Sequence, residues 1–232
     1  MPKRRADWLA GRLTAKAVVA AALARVAPGD WTPGAIEIPS EPGGRPYARL
    51  APEAAPIAGF APGERLPVSL SISHAERHAL CAATWPDGAD GARRSIGVDL
   101  GLVEPRSPAF VETFLTVPEQ CFVEEGAAAE RALRANLVWC AKEAVLKVLG
   151  TGLRMDTRDV SCLPWPGRAD PTAWPLAPAD DSWRPFVATY ASALTPGEGP
   201  IRGIWRTFPG FVGALACGVT APAMPQWPPG AP

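Results

Sequence analysis

Lysine is scarce in this chain. Of 23 basic residues only four, at positions 3, 16, 142 and 147, are lysine. Where arginine is the default base, a lysine marks a place suited to a compact ammonium, because the two side chains are not interchangeable. Two of the four fall in one short segment. Net charge is missing too: 23 acidic residues balance the 23 basic ones. That removes the broad positive field of a nonspecific nucleic-acid binder. Cysteine lacks any pattern. Its five residues, at 81, 121, 140, 162 and 217, are odd in number and form no Cys-x-x-Cys pair. A disulfide framework and a cysteine metal cluster are therefore not expected, and a reducing cytoplasm is the natural compartment. No apolar run approaches the roughly 20 residues needed to cross a membrane. Near the N-terminus Asp7 and Arg12 interrupt any signal-peptide core after Lys3-Arg-Arg5. What remains is a globular composition, 47% hydrophobic and 20% charged, long enough for one large or two small cores.

Residues 4–26 read as a helix whose apolar side is Trp8, Leu9, Leu13, Val18, Val19, Ala22 and Leu23, ended by Pro28-Gly29. Proline and glycine punctuate 28–67, which predicts loops with short extended pieces. Val68-Ser-Leu-Ser-Ile-Ser73 alternates strictly, with Val68, Leu70 and Ile72 on one face and three serines on the other. This is a half-buried strand. Ala79–Trp85 reads as a second strand, Pro86-Asp-Gly88 as a turn and Ile96–Leu100 as a third strand. Short helices and turns are expected over 105–125, with Phe110, Phe114 and Leu115 as core. A helix is expected over about 127–149, stopped by Gly150. Further strands are expected at 159–163, 186–191, 203–207 and 211–219. The proline-rich stretches 164–185 and 221–232 read as connector and tail. A weak echo links residues 78–84 to 213–219, as though two halves shared one plan.

The segment Trp139-Cys-Ala-Lys-Glu-Ala-Val-Leu-Lys147 carries the densest chemistry. At about 100° per residue, Leu137, Ala141, Ala144 and Val148 share a face. The opposite arc holds Lys142, Glu143 and Lys147, but also Trp139 and Leu146. Two readings stand. One is an exposed Glu–Lys pair of small worth. The other is a helix covered nearly all round, whose charged groups look into a crevice. Asp99, at the end of an apolar strand, is either a turn cap or a buried carboxylate in need of a partner. Two carboxylates from different elements beside an ammonium suit magnesium-assisted phosphate chemistry. His74 is a strand-end polar residue or, with Ser73, a phosphate donor. Gly43-Gly-Arg-Pro-Tyr47 is a turn or a device that aims Arg45. Arg4, Arg5 and Arg12 are a solvated helix face by default.

Taken in order, Gly44-Arg-Pro-Tyr47, Ser71-Ile-Ser-His74, Ile96-Gly-Val-Asp99 and Trp139–Lys147 resemble the 4′-phosphopantetheinyl transferase superfamily, in its larger monomeric, surfactin-synthetase-activating type. The N-terminal Arg4–Arg12 segment is similar to that family's opening helix. The resemblance covers roughly residues 40–150 and is diffuse beyond.

It implies an α+β fold of two similar halves related by a pseudo-twofold, with the active site in the cleft between them. The halves would be 1–103 and 104–222, followed by a tail at 223–232. The implied reaction moves the phosphopantetheine arm of coenzyme A to a serine of an apo acyl or peptidyl carrier protein, releasing adenosine 3′,5′-bisphosphate. Neither nucleic acid nor membrane is an implied partner. By resemblance, Asp99 and Glu143 hold Mg²⁺, and Glu143 is the general base. Lys147 neutralises or protonates the leaving bisphosphate, and Lys142 contacts phosphate. Arg45, Ser73 and His74, with Arg5 and Arg12 behind them, grip the 3′-phosphate and adenosine end. A monomer acting in secondary metabolism is the implied setting.

One position departs from the family. An acidic residue often stands two after the aspartate, where this chain has Gly101. Water or Glu104 is expected to complete the metal shell, with weaker metal binding as the cost. Two alternatives remain. One is a catalytically silent carrier-binding relative. The other is an ATPase of the sugar-kinase and actin type, whose first phosphate loop Ile96–Gly101 resembles, although it lies mid-chain and runs on into Leu102.

Overall fold

The computed structural model describes residues 2–85, 95–164, 182–190 and 201–218. The turn expected at 86–88, most of the connector at 164–185 and the tail at 221–232 lie outside these residues. Helix α1 (Pro2–Val26) opens the chain, and a loop region follows with two short paired strands, β1 (Ile36–Glu37) and β2 (Arg49–Leu50). Strands β3 (Ser69–Ala75) and β4 (His78–Thr84) form an antiparallel hairpin. Next come β5 (Ile96–Leu102), α2 (Pro108–Phe114), α3 (Val117–Glu124) and the long α4 (Ala128–Leu149). Strands β6 (Val160–Pro164), β7 (Arg184–Tyr190), β8 (Arg202–Phe208) and β9 (Phe211–Cys217) complete it. They join β5 in a five-stranded antiparallel sheet of order β5-β9-β8-β7-β6. The expected α+β class and the element sequence are met, with boundaries moved by a few residues at each end.

Two main cores follow from the sequence pattern. Val19 and Leu23 of α1 meet Leu70 of β3 and residues of the 31–66 loops, among them Trp31, Ile36 and Leu50. Leu137, Ala141, Ala144 and Val148, the face expected for α4, pack on Phe186, Trp205, Val212 and Ala214 of the larger sheet. A smaller cluster of Leu115, Val123, Ala135 and Val138 seats α3 on α4. Helix α4 ends where expected, because Gly150 takes the left-handed φ of 71° that a C-terminal stop requires.

Helix α4 lies so close on β5 that a Cβ at Gly97 would sit 1.9 Å from the Ala144 carbonyl oxygen. Only glycine fits there. On its other edge β5 faces β3 through side chains. Ser71 Oγ accepts from Val98 N at 3.0 Å, and Ser73 Oγ accepts from Leu100 N at 3.1 Å. The serine face of the alternating strand thus joins the hairpin to the large sheet and satisfies edge amides that would otherwise be orphaned. Among the described residues no helix is long and apolar enough to cross a membrane.

Candidate active site

Helix α4 carries the site. From Arg134 to Val148 every residue is buried except Trp139, Glu143 and Lys147. These three are spaced four apart, so they stack along one face. The helix is therefore covered nearly all round, with a single half-open stripe. Opposite the stripe stands Asp99 of β5. Lys147 Nζ donates to Asp99 Oδ1 at 2.8 Å and to the Val98 carbonyl at 2.7 Å. Ser73 Oγ also donates to Asp99 Oδ1, at 2.8 Å. One oxygen of Asp99 thus holds a lysine and a serine, while the other takes no nitrogen or hydroxyl donor among the described residues.

Glu143 is half-buried, and its carboxylate makes no hydrogen bond or ion pair among the described residues. Burial pushes its pKa up, the nearby Asp99 charge pushes it further, and Lys147 opposes both. A desolvated carboxylate facing a second one is an electrostatic debt that a hard cation settles, since Mg²⁺ prefers one or two carboxylates and keeps several waters. The donor set therefore fits Mg²⁺. It is a sparse set, for no group of three or more His, Cys, Asp or Glu suited to a metal occurs among the described residues. Glu104 lies beside Asp99 and Gly101 in one cavity, but its carboxylate is paired with Arg106 at 3.1 Å.

Position 101 has its own physics. A Cβ there would lie 2.7 Å from Cys140 Sγ. Cys140 is fully enclosed, and burial together with Asp99 pushes its thiol pKa well up, so it stays neutral.

Lys142 is a correction. Its expected contact with phosphate is not what the structure shows. It has no solvent exposure, and its ammonium donates to Glu119 Oε2 at 2.6 Å and to the Val160 carbonyl. Glu119 in turn accepts from Thr116 N, Thr116 Oγ1 and Cys162 N. Lys142 and Glu143 differ by about 100° around the helix, so anchoring one toward α3 turns the other toward β5.

The remaining candidates divide. Ser73 belongs to the Asp99 cluster. His74 points the other way along the strand and is exposed, next to Gly11 of α1. Arg12 reaches from α1 to Ser40 Oγ at 2.7 Å and lies over the Trp8 ring at 5.4 Å. Its Nη1 is enclosed without a partner among the described residues, and burial lowers its pKa. Arg45, on the loop that begins at Ser40, and Arg5 are exposed. The contact of Arg12 with Ser40 brings α1 against that loop, away from Lys142.

Sequence reasoning missed Glu119, Cys140 and Asp7. The Thr116-x-x-Glu119 spacing of a capping box pointed to a helix start, yet nothing in it reveals the buried lysine. Asp7 accepts from Arg77 N at 2.8 Å. It braces the tight β3–β4 turn, whose two residues Glu76 and Arg77 both take positive φ, 45° and 69°. The sugar-kinase and actin alternative falls, because residues 96–102 form one continuous strand paired to β9 and make no phosphate loop.

Asp99, Glu143 and Lys147 meet across β5 and α4. Residues 95–194 match the family model of the 4′-phosphopantetheinyl transferase superfamily. The matched segment, less than half of the chain, holds Asp99, Glu119, Lys142, Glu143 and Lys147. No curated protein matches the chain. Among solved structures the chain is similar to holo-[acyl-carrier-protein] synthase from Thermotoga maritima. That likeness has 20% identity and a TM-score of 0.42, over 55% of this chain and 64% of that one. The chain thus spans less than two thirds of that protein's length. The Neisseria meningitidis holo-[acyl-carrier-protein] synthase is similar at 18% identity and a TM-score of 0.41, over 53% of this chain and 96% of that one. A Chronobacterium ammoniagenes ACPS-CoA complex follows at 14% identity and 0.39, over 56% and 98%.

Proposed function

We propose that this chain transfers the 4′-phosphopantetheine arm of coenzyme A to a serine hydroxyl of an apo acyl or peptidyl carrier protein. One observation carries the reading. An unpaired, half-buried Glu143 lies one turn from Lys147 and faces Asp99, within the segment that matches the superfamily. The serine oxygen forms a bond to the phosphorus that bears the pantetheine arm. The bond from that phosphorus to the bridging oxygen breaks, and adenosine 3′,5′-bisphosphate leaves. Glu143 takes the serine proton, a task suited to a carboxylate whose pKa burial has raised above its ordinary range. Lys147 places positive charge where the leaving oxygen gains negative charge. Asp99 orients Lys147, and Ser73 orients Asp99.

Asp99 and Glu143 would hold Mg²⁺, which when bound offsets charge on the pyrophosphate. Arg12, Arg45 and His74 provide the cationic and donor groups for the 3′-phosphate and adenosine end, with Arg5 at the rim. Lys142 has no part in that grip. The larger, surfactin-synthetase-activating type is favoured because α1 with β3–β4 and α4 with its sheet each pair one long helix with strands, as two halves meeting at 103/104 in a pseudo-twofold would. A single chain holding both halves acts as a monomer, in the cytoplasm, in secondary metabolism.

The test is intact-protein mass spectrometry of several apo carrier proteins incubated with the chain, coenzyme A and Mg²⁺. A gain of one phosphopantetheine mass on any carrier is expected, and Glu143→Ala should abolish it with circular dichroism unchanged. Coenzyme A binding with no mass gain on any carrier would favour the silent relative, a reading to which the missing carboxylate at 101 lends its only support.

A further inference from the structure

Helix α4 lies close on β5 because the strand is bare at two points. Residues 97, 99 and 101 share one face of β5, and the outer two are glycine. A Cβ at Gly97 would strike the Ala144 carbonyl oxygen, and a Cβ at Gly101 would strike Cys140 Sγ. On the helix, Cys140, Ala144 and Lys147 share one face, at the spacing i, i+4 and i+7. Over this stretch Asp99 is the single side chain that β5 turns toward α4. Lys147 holds it from one end of the contact, and Cys140 stands at the other.

Cys140 Sγ fills the space where a side chain at 101 would begin. The residue is completely enclosed, and two acceptors lie within reach of its one proton. The first is the Val212 carbonyl, at a long 3.7 Å. The second is the Asp99 carboxylate, with which the thiol makes a side-chain hydrogen bond. A neutral thiol must be the donor in that bond, because an ionised carboxylate only accepts. An ionised acceptor also makes the stronger bond, roughly twice a neutral one. The carboxylate is then gripped at three points, by Ser73 of β3 and by Lys147 and Cys140 of α4.

We propose that Cys140 is a positioning residue for Asp99, its S–H donating to the carboxylate and fixing the orientation in which Asp99 faces Glu143. The proposal rests on the transfer reading above and adds to it what stands in for a side chain at position 101. Glycine there leaves room for the thiol, and the thiol steadies the carboxylate that remains.

Two variants test it. Cys140→Ala removes the proton donor, and Cys140→Ser keeps one on a side chain of similar size. Each is compared with the parent in urea denaturation, in Mn²⁺ binding followed by electron paramagnetic resonance, and in kcat and KM for coenzyme A. Cys140→Ala is expected to lower kcat about three- to tenfold, the worth of one modest hydrogen bond, with KM for coenzyme A little changed. Its Mn²⁺ affinity should fall as well, and Cys140→Ser should restore both quantities whatever its stability. A thiol that only fills space would change stability, while the folded variants kept the parent's kcat and Mn²⁺ affinity. That result overturns the proposal, as does an equal loss of kcat and Mn²⁺ affinity in the two variants. A parent that modifies no carrier sinks the transfer reading, and the Mn²⁺ titrations then decide the placement of Asp99 on their own. A parent that modifies no carrier and binds no Mn²⁺ overturns both.

Discussion

Lys142 Nζ lies 2.6 Å from Glu119 Oε2, and neither side chain reaches solvent. The pair links α4 to α3, and through Val160 and Cys162 to β6. Removing one partner of such a pair leaves a bare charge inside, at a cost of about 3–5 kcal/mol. Lys142→Met is expected to lose stability on that scale in chemical denaturation, and Lys142→Met/Glu119→Leu to recover most of it. The double variant should bind coenzyme A within about twofold of the parent. A tenfold or larger loss of coenzyme A affinity in the folded double variant would return Lys142 to the phosphate site.

Gly101 and Cys140 form a second linked pair. Because a Cβ at 101 would lie 2.7 Å from the thiol, Gly101→Glu alone is expected to overpack, costing about 1–3 kcal/mol, without tightening metal binding. Gly101→Glu/Cys140→Ala clears that space and sets a third carboxylate on the Asp99 face of β5. Mn²⁺ binding followed by electron paramagnetic resonance, together with Mg²⁺ titration of transfer, checks this. The double variant should bind metal more tightly than either parent or single variant. Equal metal affinity in all of them would show that position 101 does not face the cation.

How much of this was legible in the sequence depends on which force places each residue. The serine alternation in β3 and the apolar face of α4 are periodic, so burial alone reveals strand, helix and facing. Glu143 and Lys147 one turn apart follow from helix geometry, and Asp99 from its place in an apolar strand. Lys142 could not be assigned, because a lysine beside a glutamate looks the same whether it faces phosphate or a buried carboxylate. Its partner, Glu119, lies 23 residues away. Gly101 read as a missing ligand, but only the packing of Cys140 gives the glycine a steric reason. Asp7 was invisible because it braces a turn 70 residues distant.

Ser71 and Ser73 separate structural from functional roles. Each accepts from a buried β5 amide, so alanine at either position leaves that N–H unpaired, at about 1–3 kcal/mol. Only Ser73 also donates to Asp99. Ser71→Ala and Ser73→Ala should therefore lose similar stability, whereas Ser73→Ala alone should lower kcat for transfer, by roughly tenfold for one bond to a charged group. Equal kcat in the two folded variants would remove Ser73 from the positioning of Asp99.

The Glu143 carboxyl is held above its ordinary pKa chiefly by burial, then by Asp99, with Lys147 opposing. The folded protein therefore holds this proton to higher pH than the unfolded chain does. Its contribution to stability is present at low pH and is lost as pH rises through the folded pKa. Glu143→Gln should accordingly be more stable than the parent at neutral pH and indistinguishable from it in acid, where both side chains are neutral. Transfer runs in the reverse sense, since the base must be ionised. The acid limb of the rate profile should sit above the usual carboxylate range and move to lower pH as Mg²⁺ is raised, because a nearby cation favours the ionised form. Urea denaturation of both proteins across pH, beside rate profiles at two Mg²⁺ concentrations, checks the pair of statements. An acid limb that ignores Mg²⁺ would place the cation away from Glu143, and a parent more stable than Glu143→Gln at neutral pH would mean that the carboxylate has found a partner.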